Sequence, residues 1–210
     1  MYKCRVLAFS GNKFSGKSTC SYIVKDYYNS RENYKDWHVE IISFADPLKR
    51  LISDIFNLNK ECYIPSLKEQ TIPYWNVSPR DLMQKIGTDL FRDKIHEVLP
   101  SLNTRGNNIW AASLYKKIID LKNYYNTKHK NLLVIIDDCR FNDEYNIIKK
   151  LNGIVVKIIK DIPNSPKTSQ ILHQSESGCK FDYYLKNNKN IYSLKKNLHD
   201  LINHLEKPHM

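Results

Sequence analysis

Three observations predict an α/β chain built on a mostly parallel sheet with helices on both faces. Strand-like apolar runs alternate with helix-like ones along the chain. The first of them, CRVLAFS, leads through a glycine-bounded loop into a helix. The most hydrophobic run, LLVIIDD, ends in two carboxylates. Alternation of this kind buries a parallel sheet between two layers of helices. Ligands on such sheets bind at the carboxyl ends of the strands. At 210 residues the chain suits one domain with a full core. That domain is expected to span 1–210, with an insert over about 58–78 and a lid over about 160–178.

Taken in order, Cys4 to Ser10 reads as a buried strand and Thr19 to Tyr27 as a helix that starts near Lys17. Val39 to Ala45 is a second buried strand. Asp46, a good N-cap, and Pro47, well placed at the first helical position, open a helix with Leu48, Leu51, Ile52, Ile55 and Phe56 at helical spacing. Periodicity fades from Asn59 to Val77, where Pro65 and Pro73 fall. Ser78-Pro79-Arg80-Asp81 repeats the helix-start signal, and that helix runs through LMQKIGTDLF with Gly87 weakening its middle. A further helix covers roughly Ile109 to Leu121. Leu132 to Asp138 is the central parallel strand, followed by a helix over about Asp143 to Leu151 and a strand from Ile154 to Ile159. After the polar stretch from Lys160 to Gly178 come a short strand, Phe181 to Leu185, and an amphipathic helix, Ser193 to Leu205.

The first loop carries the sharpest chemistry. In SGNKFSGKST, the pattern GxxxxGK[ST] matches at Gly11, Gly16, Lys17 and Ser18. The glycines let the backbone of Gly11, Asn12, Ser15 and Gly16 curl so that N–H groups point inward at phosphate oxygens. The helix beyond adds its positive end. Lys17 would reach the β- and γ-phosphates and Ser18 would ligate Mg²⁺, so the loop predicts binding of ATP or a similar nucleoside triphosphate. Lys13 lies within the loop and is placed to sit between donor and acceptor phosphates. At the end of LLVIIDD, Asp137 or Asp138 suits the Mg²⁺ shell, and Arg140 suits a second phosphate or a transferring phosphoryl group. Ala45, at the end of the second strand, should converge on the same crevice, and Arg80 is a candidate clamp for an acceptor phosphate.

Composition narrows the setting. No apolar run is long enough to cross a bilayer, and the first residues have no signal-peptide layout. The five cysteines are scattered without a CxxC pair, as expected of reduced thiols in a cytoplasmic protein. The net charge of +11 comes from lysines spread along the chain, which reads as a diffuse field attracting nucleotides and not as a dedicated nucleic-acid groove.

Several motifs together resemble one family, the deoxynucleoside monophosphate kinases of T-even-type bacteriophages and their relatives in large DNA viruses. They are SGNKFSGKST, FADPLK, SPRDLMQKIGTDL, Ile109-Trp110, IIDDCRFNDE, GIVVKII and the HQSE of His173 to Glu176. The resemblance implies a three-layer P-loop kinase fold with a five-stranded parallel sheet, a monophosphate-binding insert and a lid. It implies transfer of the γ-phosphoryl of ATP to a deoxynucleoside monophosphate with Mg²⁺, in a homodimer in the cytoplasm, that of the host if the protein is viral. Carried over, Lys13, Gly16, Lys17, Ser18 and Thr19 serve the phosphates. Arg80, Gly87, Thr88 and Trp110 line the acceptor side, together with Glu176, and Asp138 and Arg140 stand at the strand end. Phe14 departs from the family, holding a place where a basic residue is expected, and the segment between Ile52 and Ser78 is shorter than in the phage enzymes. From the residues alone, a P-loop kinase of another small molecule (phosphomevalonate or dephospho-coenzyme A), a nucleic-acid-dependent ATPase and a non-catalytic nucleotide-binding module remain as alternatives.

Overall fold

A computed structural model of the chain describes residues 2–104, 108–160 and 179–206. They fall into two compact units: one holds the residues up to Ser43 and from Lys117 on, the other Phe44–Lys116.

The first unit is built on five strands: β1 (Cys4–Ser10), β2 (Trp37–Ile42), β3 (Asn131–Cys139), β4 (Ile154–Ile159) and β5 (Tyr183–Lys186). Their order is β2-β3-β1-β4-β5 and every pairing is parallel, as expected. Leu7, Phe9, Leu133, Ile135, Val156 and Ile158 share a core with α1 (Lys17–Asn29) and α7 (Ile191–Glu206) through Cys20, Ile23, Val24, Leu194 and Leu198. The alternate residues Val6, Ala8, Leu132, Val134, Ile136 and Val155 are buried too. Side chains alternate across a strand, so both faces of the sheet are covered. That is why these strands read as unbroken apolar runs. On the second face, Ile148 of α6 (Asn142–Lys150) and Val6 close around Gly153, where a Cβ would come within 2.7 Å of Ile148 and 2.9 Å of Val6.

Polar groups fasten this layer. Asp182 accepts from the Val155 N–H at 2.8 Å, Lys149 Nζ at 3.0 Å and the Tyr145 hydroxyl at 3.1 Å, joining α6, β4 and the entry to β5. Glu206, at the end of α7, accepts from Arg5, Tyr34 and, at 2.6 Å, Tyr28.

The second unit contains α2 (Asp46–Phe56), α3 (Pro79–Gln84), a π-helical stretch (Lys85–Arg92), α4 (Ile95–Val98) and the start of α5 (Ile109–Thr127). Leu48, Ile52, Leu82 and Trp110 form its core. Ser78 caps α3 as expected, its hydroxyl accepting from the Asp81 N–H at 3.1 Å and donating to the Asp81 carboxylate at 2.6 Å.

Several boundaries differ from expectation. β2 stops at Ile42 because its pairing with β3 ends at Ile42 and Ile136, where β3 leaves regular register. Ala45, not Asp46, is therefore the N-cap of α2, and Pro47 is the second helical residue instead of the first. The helix after Ser78 does not stay α: around Gly87 it widens, and the Asp93 N–H bonds to Thr88 O, five residues back, at 3.0 Å. Finally, α5 continues to Thr127, and α7 starts at Ile191, with Asn190 Oδ1 accepting from the Ser193 N–H at 3.0 Å.

Candidate active site

The loop after β1 has the expected shape. Gly11 has φ of 137° and Gly16 φ of 103°, values that L side chains rarely adopt. A Cβ on Gly11 would lie 2.4 Å from the Ile158 carbonyl oxygen, and one on Gly16 would lie 2.5 Å from Asn187 Nδ2. Neither position admits a larger residue. Phe14 is exposed and takes φ of 64°, with Lys13 Nζ 5.0 Å from its ring centroid. Asn187, just past β5, grips the loop by donating from Nδ2 to Ser15 O at 2.8 Å. The Ser15 hydroxyl is buried and has no hydrogen-bond partner among the described residues. Buried polar groups are rarely left so, and an anion held by the loop is the partner it fits.

α1 begins at Lys17, directly behind its N-cap Gly16, which offers no side chain to its first N–H groups. Lys17 Nζ donates to Gly11 O at 2.9 Å and Asn12 O at 2.8 Å, which folds the ammonium over the loop. Burial, followed by the charge of Arg140, pulls Lys17 below its ordinary pKa, while Asp137 and Asp138 oppose the shift. Lys17, Arg140, Asp137 and Asp138 thus share one electrostatic neighbourhood.

The two carboxylates reach that place by a break in the strand. β1 and β3 pair Ala8 with Ile136 but Ser10 with Cys139, so β3 carries one residue more than β1 between the two pairs. In an unbroken strand Asp137 and Asp138 would point to opposite faces. At this bulge both carboxylates find hydroxyls. Asp137 Oδ2 accepts from Ser18 Oγ at 3.1 Å, and Asp138 Oδ2 accepts from Ser43 Oγ at 2.5 Å. Ser18 and Asp137 are the two residues expected to hold Mg²⁺, and hydroxyl and carboxylate oxygens are the donors a hard cation takes. The residues present fit the ion.

Arg140 follows the bulge and is exposed. Glu144, 3% exposed, accepts from the Arg140 N–H at 2.7 Å and the Phe141 N–H at 3.1 Å, which fixes the turn presenting the guanidinium.

At this level of detail the chain can be set beside known proteins. It is 30% identical over 189 residues to a protein of Acanthamoeba polyphaga mimivirus named "Putative deoxynucleotide monophosphate kinase", covering 89% of this chain and 90% of the viral one. The chain belongs to the deoxynucleotide monophosphate kinase family. No family model matches the sequence. Among solved structures it is similar to an APS kinase of Mycobacterium tuberculosis in complex with AMPPNP and APS, at 10% identity and a TM-score of 0.45 over 99% of this chain and 100% of that one. It is also similar to thymidylate kinase from Ehrlichia chaffeensis, at 13% identity and a TM-score of 0.45 over 97% of this chain and 100% of that one.

In this member of the deoxynucleotide monophosphate kinase family, the first unit gathers Gly11, Asn12, Ser15, Gly16, Lys17, Ser18, Asp137, Asp138 and Arg140. Thr19 is exposed in the first turn of α1. Lys13 lies in the first unit too, while Ala45, Arg80, Gly87, Thr88 and Trp110 lie in the second. Ala45 caps α2. Arg80 is paired with Glu69 Oε1 at 3.0 Å. Gly87 and Thr88 lie in the π-helical stretch, and Trp110 Nε1 donates to Gly87 O at 2.8 Å. A Cβ on Gly87 would meet Leu48 Cδ2 at 2.3 Å. Glu176, His173 and nearly all of the expected lid lie outside the described residues.

Sequence reasoning missed three supporting residues of the first unit. Ser43 could have been suspected from its place at a strand end. Glu144 was visible as an acid in the first turn of α6. Asn187 carries no local signal, being far along the chain from the loop it holds.

Proposed function

We propose that the chain transfers the γ-phosphoryl of ATP to a deoxynucleoside monophosphate, giving the diphosphate and ADP. The observation that carries this reading is the Ser18–Asp137 contact at 3.1 Å beside a lysine folded over a glycine-cornered loop, in a chain of this family. The loop amides and Lys17 bind the β- and γ-phosphates. Ser18 and Asp137 hold Mg²⁺, which when bound offsets phosphate charge. Arg140 and Lys13 neutralise the transferring group, and Asp138, oriented by Ser43, is positioned at the strand end. On the acceptor side we assign Ala45, Arg80, Gly87, Thr88, Trp110 and Glu176; Arg80 would exchange Glu69 for the acceptor phosphate.

In the reaction an acceptor phosphate oxygen forms the new bond to the γ-phosphorus while the bond to the β–γ bridging oxygen breaks. The attacking oxygen is already anionic, so no general base is needed. The protein's work is in-line positioning and cancellation of charge. The active form is a homodimer in the cytoplasm, that of a host cell if the protein is viral. DNA and RNA do not stimulate it.

The test is ADP release from MgATP with dTMP, dGMP, dCMP and dAMP in turn. At least one acceptor raises the rate well above the no-acceptor background, and Lys17→Ala abolishes the rise. Equal background rates with all four acceptors would refute the assignment.

A further inference from the structure

Cys139 closes β3 one residue after Asp138, and Cys179 lies before β5; they are 0% and 5% exposed. Their sulfurs are 3.4 Å apart. Cys179 Sγ also donates to Ser10 Oγ at 3.3 Å. Ser10 is the register partner of Cys139 and the residue before Gly11. The three side chains therefore form one buried cluster at the base of the phosphate loop. Bonded sulfurs lie about 2.05 Å apart, so a shift of a little over ~1 Å would join this pair. The hydrogen bond from Cys139 outweighs burial and, with Ser10, pulls Cys179 down to about 7. Burial instead pushes Cys20 up to about 12 and Cys4 upward. The thiolate is the nucleophilic form, and Cys179 has a second thiol already in contact to resolve what it forms.

We propose that Cys139 and Cys179 are a dithiol modification site, closed to a disulfide by a peroxide-class oxidant and reopened by a thiol reductant, and that closure weakens the grip on MgATP. The affinity clause rests on the phosphate-site reading given above. In the first step the Cys179 thiolate attacks one peroxide oxygen, the O–O bond breaks, and hydroxide leaves with Cys179 as a sulfenic acid. The Cys139 sulfur then attacks the Cys179 sulfur, the S–O bond breaks, and the Cys139 proton leaves with the hydroxyl as water. Two thiols and one peroxide give one disulfide and two waters; the sulfurs together lose two electrons and the peroxide oxygens gain them. Closure draws on the chain that carries Asp137, Asp138 and Arg140, which is why affinity falls.

The test treats the full chain with hydrogen peroxide, blocks remaining thiols with iodoacetamide and maps the peptides. One linked peptide joining Cys139 to Cys179 is expected. Calorimetry on the same samples should show the Kd for MgATP rising roughly five-fold or more, about 1 kcal/mol, and returning after dithiothreitol. Cys139→Ser should accumulate a dimedone-reactive Cys179. Cys179→Ala should bind MgATP as reduced wild type does, with or without peroxide. Peroxide that leaves Cys139 free to alkylate, a disulfide between other cysteines, or a closed disulfide with unchanged affinity would each overturn the proposal. A reduced protein that fails to bind MgATP would sink the phosphate-site reading and the affinity clause together, while the linked peptide would still judge the dithiol.

Discussion

Gly11 shows at the smallest scale how sequence and site are joined. Its φ of 137° and the Ile158 carbonyl 2.4 Å from a would-be Cβ leave room for hydrogen only. Gly11→Ala must shift backbone against backbone, so MgATP affinity should fall at least roughly ten-fold, about 1.4 kcal/mol, in a calorimetric titration. Unchanged affinity would show that the loop does not grip through this curl. Lys17 and Ser18 were legible in the sequence because loop, lysine and hydroxyl are consecutive, and backbone geometry alone brings them together. Asp137 and Asp138 were legible as a pair at a strand end, but the means of using both was not. The bulge that turns two neighbours toward two hydroxyls depends on how β1 and β3 register, and no local pattern encodes it.

Among the elements, the sharpest departure is the π-helical stretch Lys85–Arg92. Gly87 was visible as a weak point in a helix, yet the widened turn depends on Leu48 and Trp110, far away in sequence. Trp110 donates to the Gly87 carbonyl at 2.8 Å in a buried setting. Trp110→Phe keeps the ring but removes that hydrogen bond, which should lower unfolding free energy by about 1 kcal/mol, read by urea denaturation. No loss would mean the bond does not hold the turn. In the first unit Asp182 ties α6, β4 and β5. Burial alone would raise its pKa, but hydrogen bonds from Val155, Lys149 and Tyr145 outweigh it and depress the folded value. A depressed carboxyl stabilises above its unfolded pKa, and that contribution is lost as pH falls through the folded one. Asp182→Asn should therefore destabilise near neutral pH, by about 1–2 kcal/mol, with the gap from wild type narrowing in acid. A gap constant across that range would remove the charge from the explanation. The clamp was hidden in the sequence because its partners are scattered over three elements.

Across the whole molecule, alternation of apolar runs foretold the parallel sheet, since strands covered on both faces must be apolar throughout. The order β2-β3-β1-β4-β5 is a matter of long-range pairing that composition does not carry. Among the described residues no helix is long and apolar enough to cross a membrane. The charge of +11 would attract anionic nucleotides without choosing among them; on the proposed reading the choice of a triphosphate is left to the cradle behind β1. The most direct test of that cradle is a calorimetric titration of the reduced, full-length chain with magnesium and a non-hydrolysable ATP analogue, beside Lys17→Ala. Saturable binding at one site per chain, weakened roughly ten-fold or more in the variant, is the predicted result; no heat from folded wild-type protein, or equal binding by both chains, would contradict it.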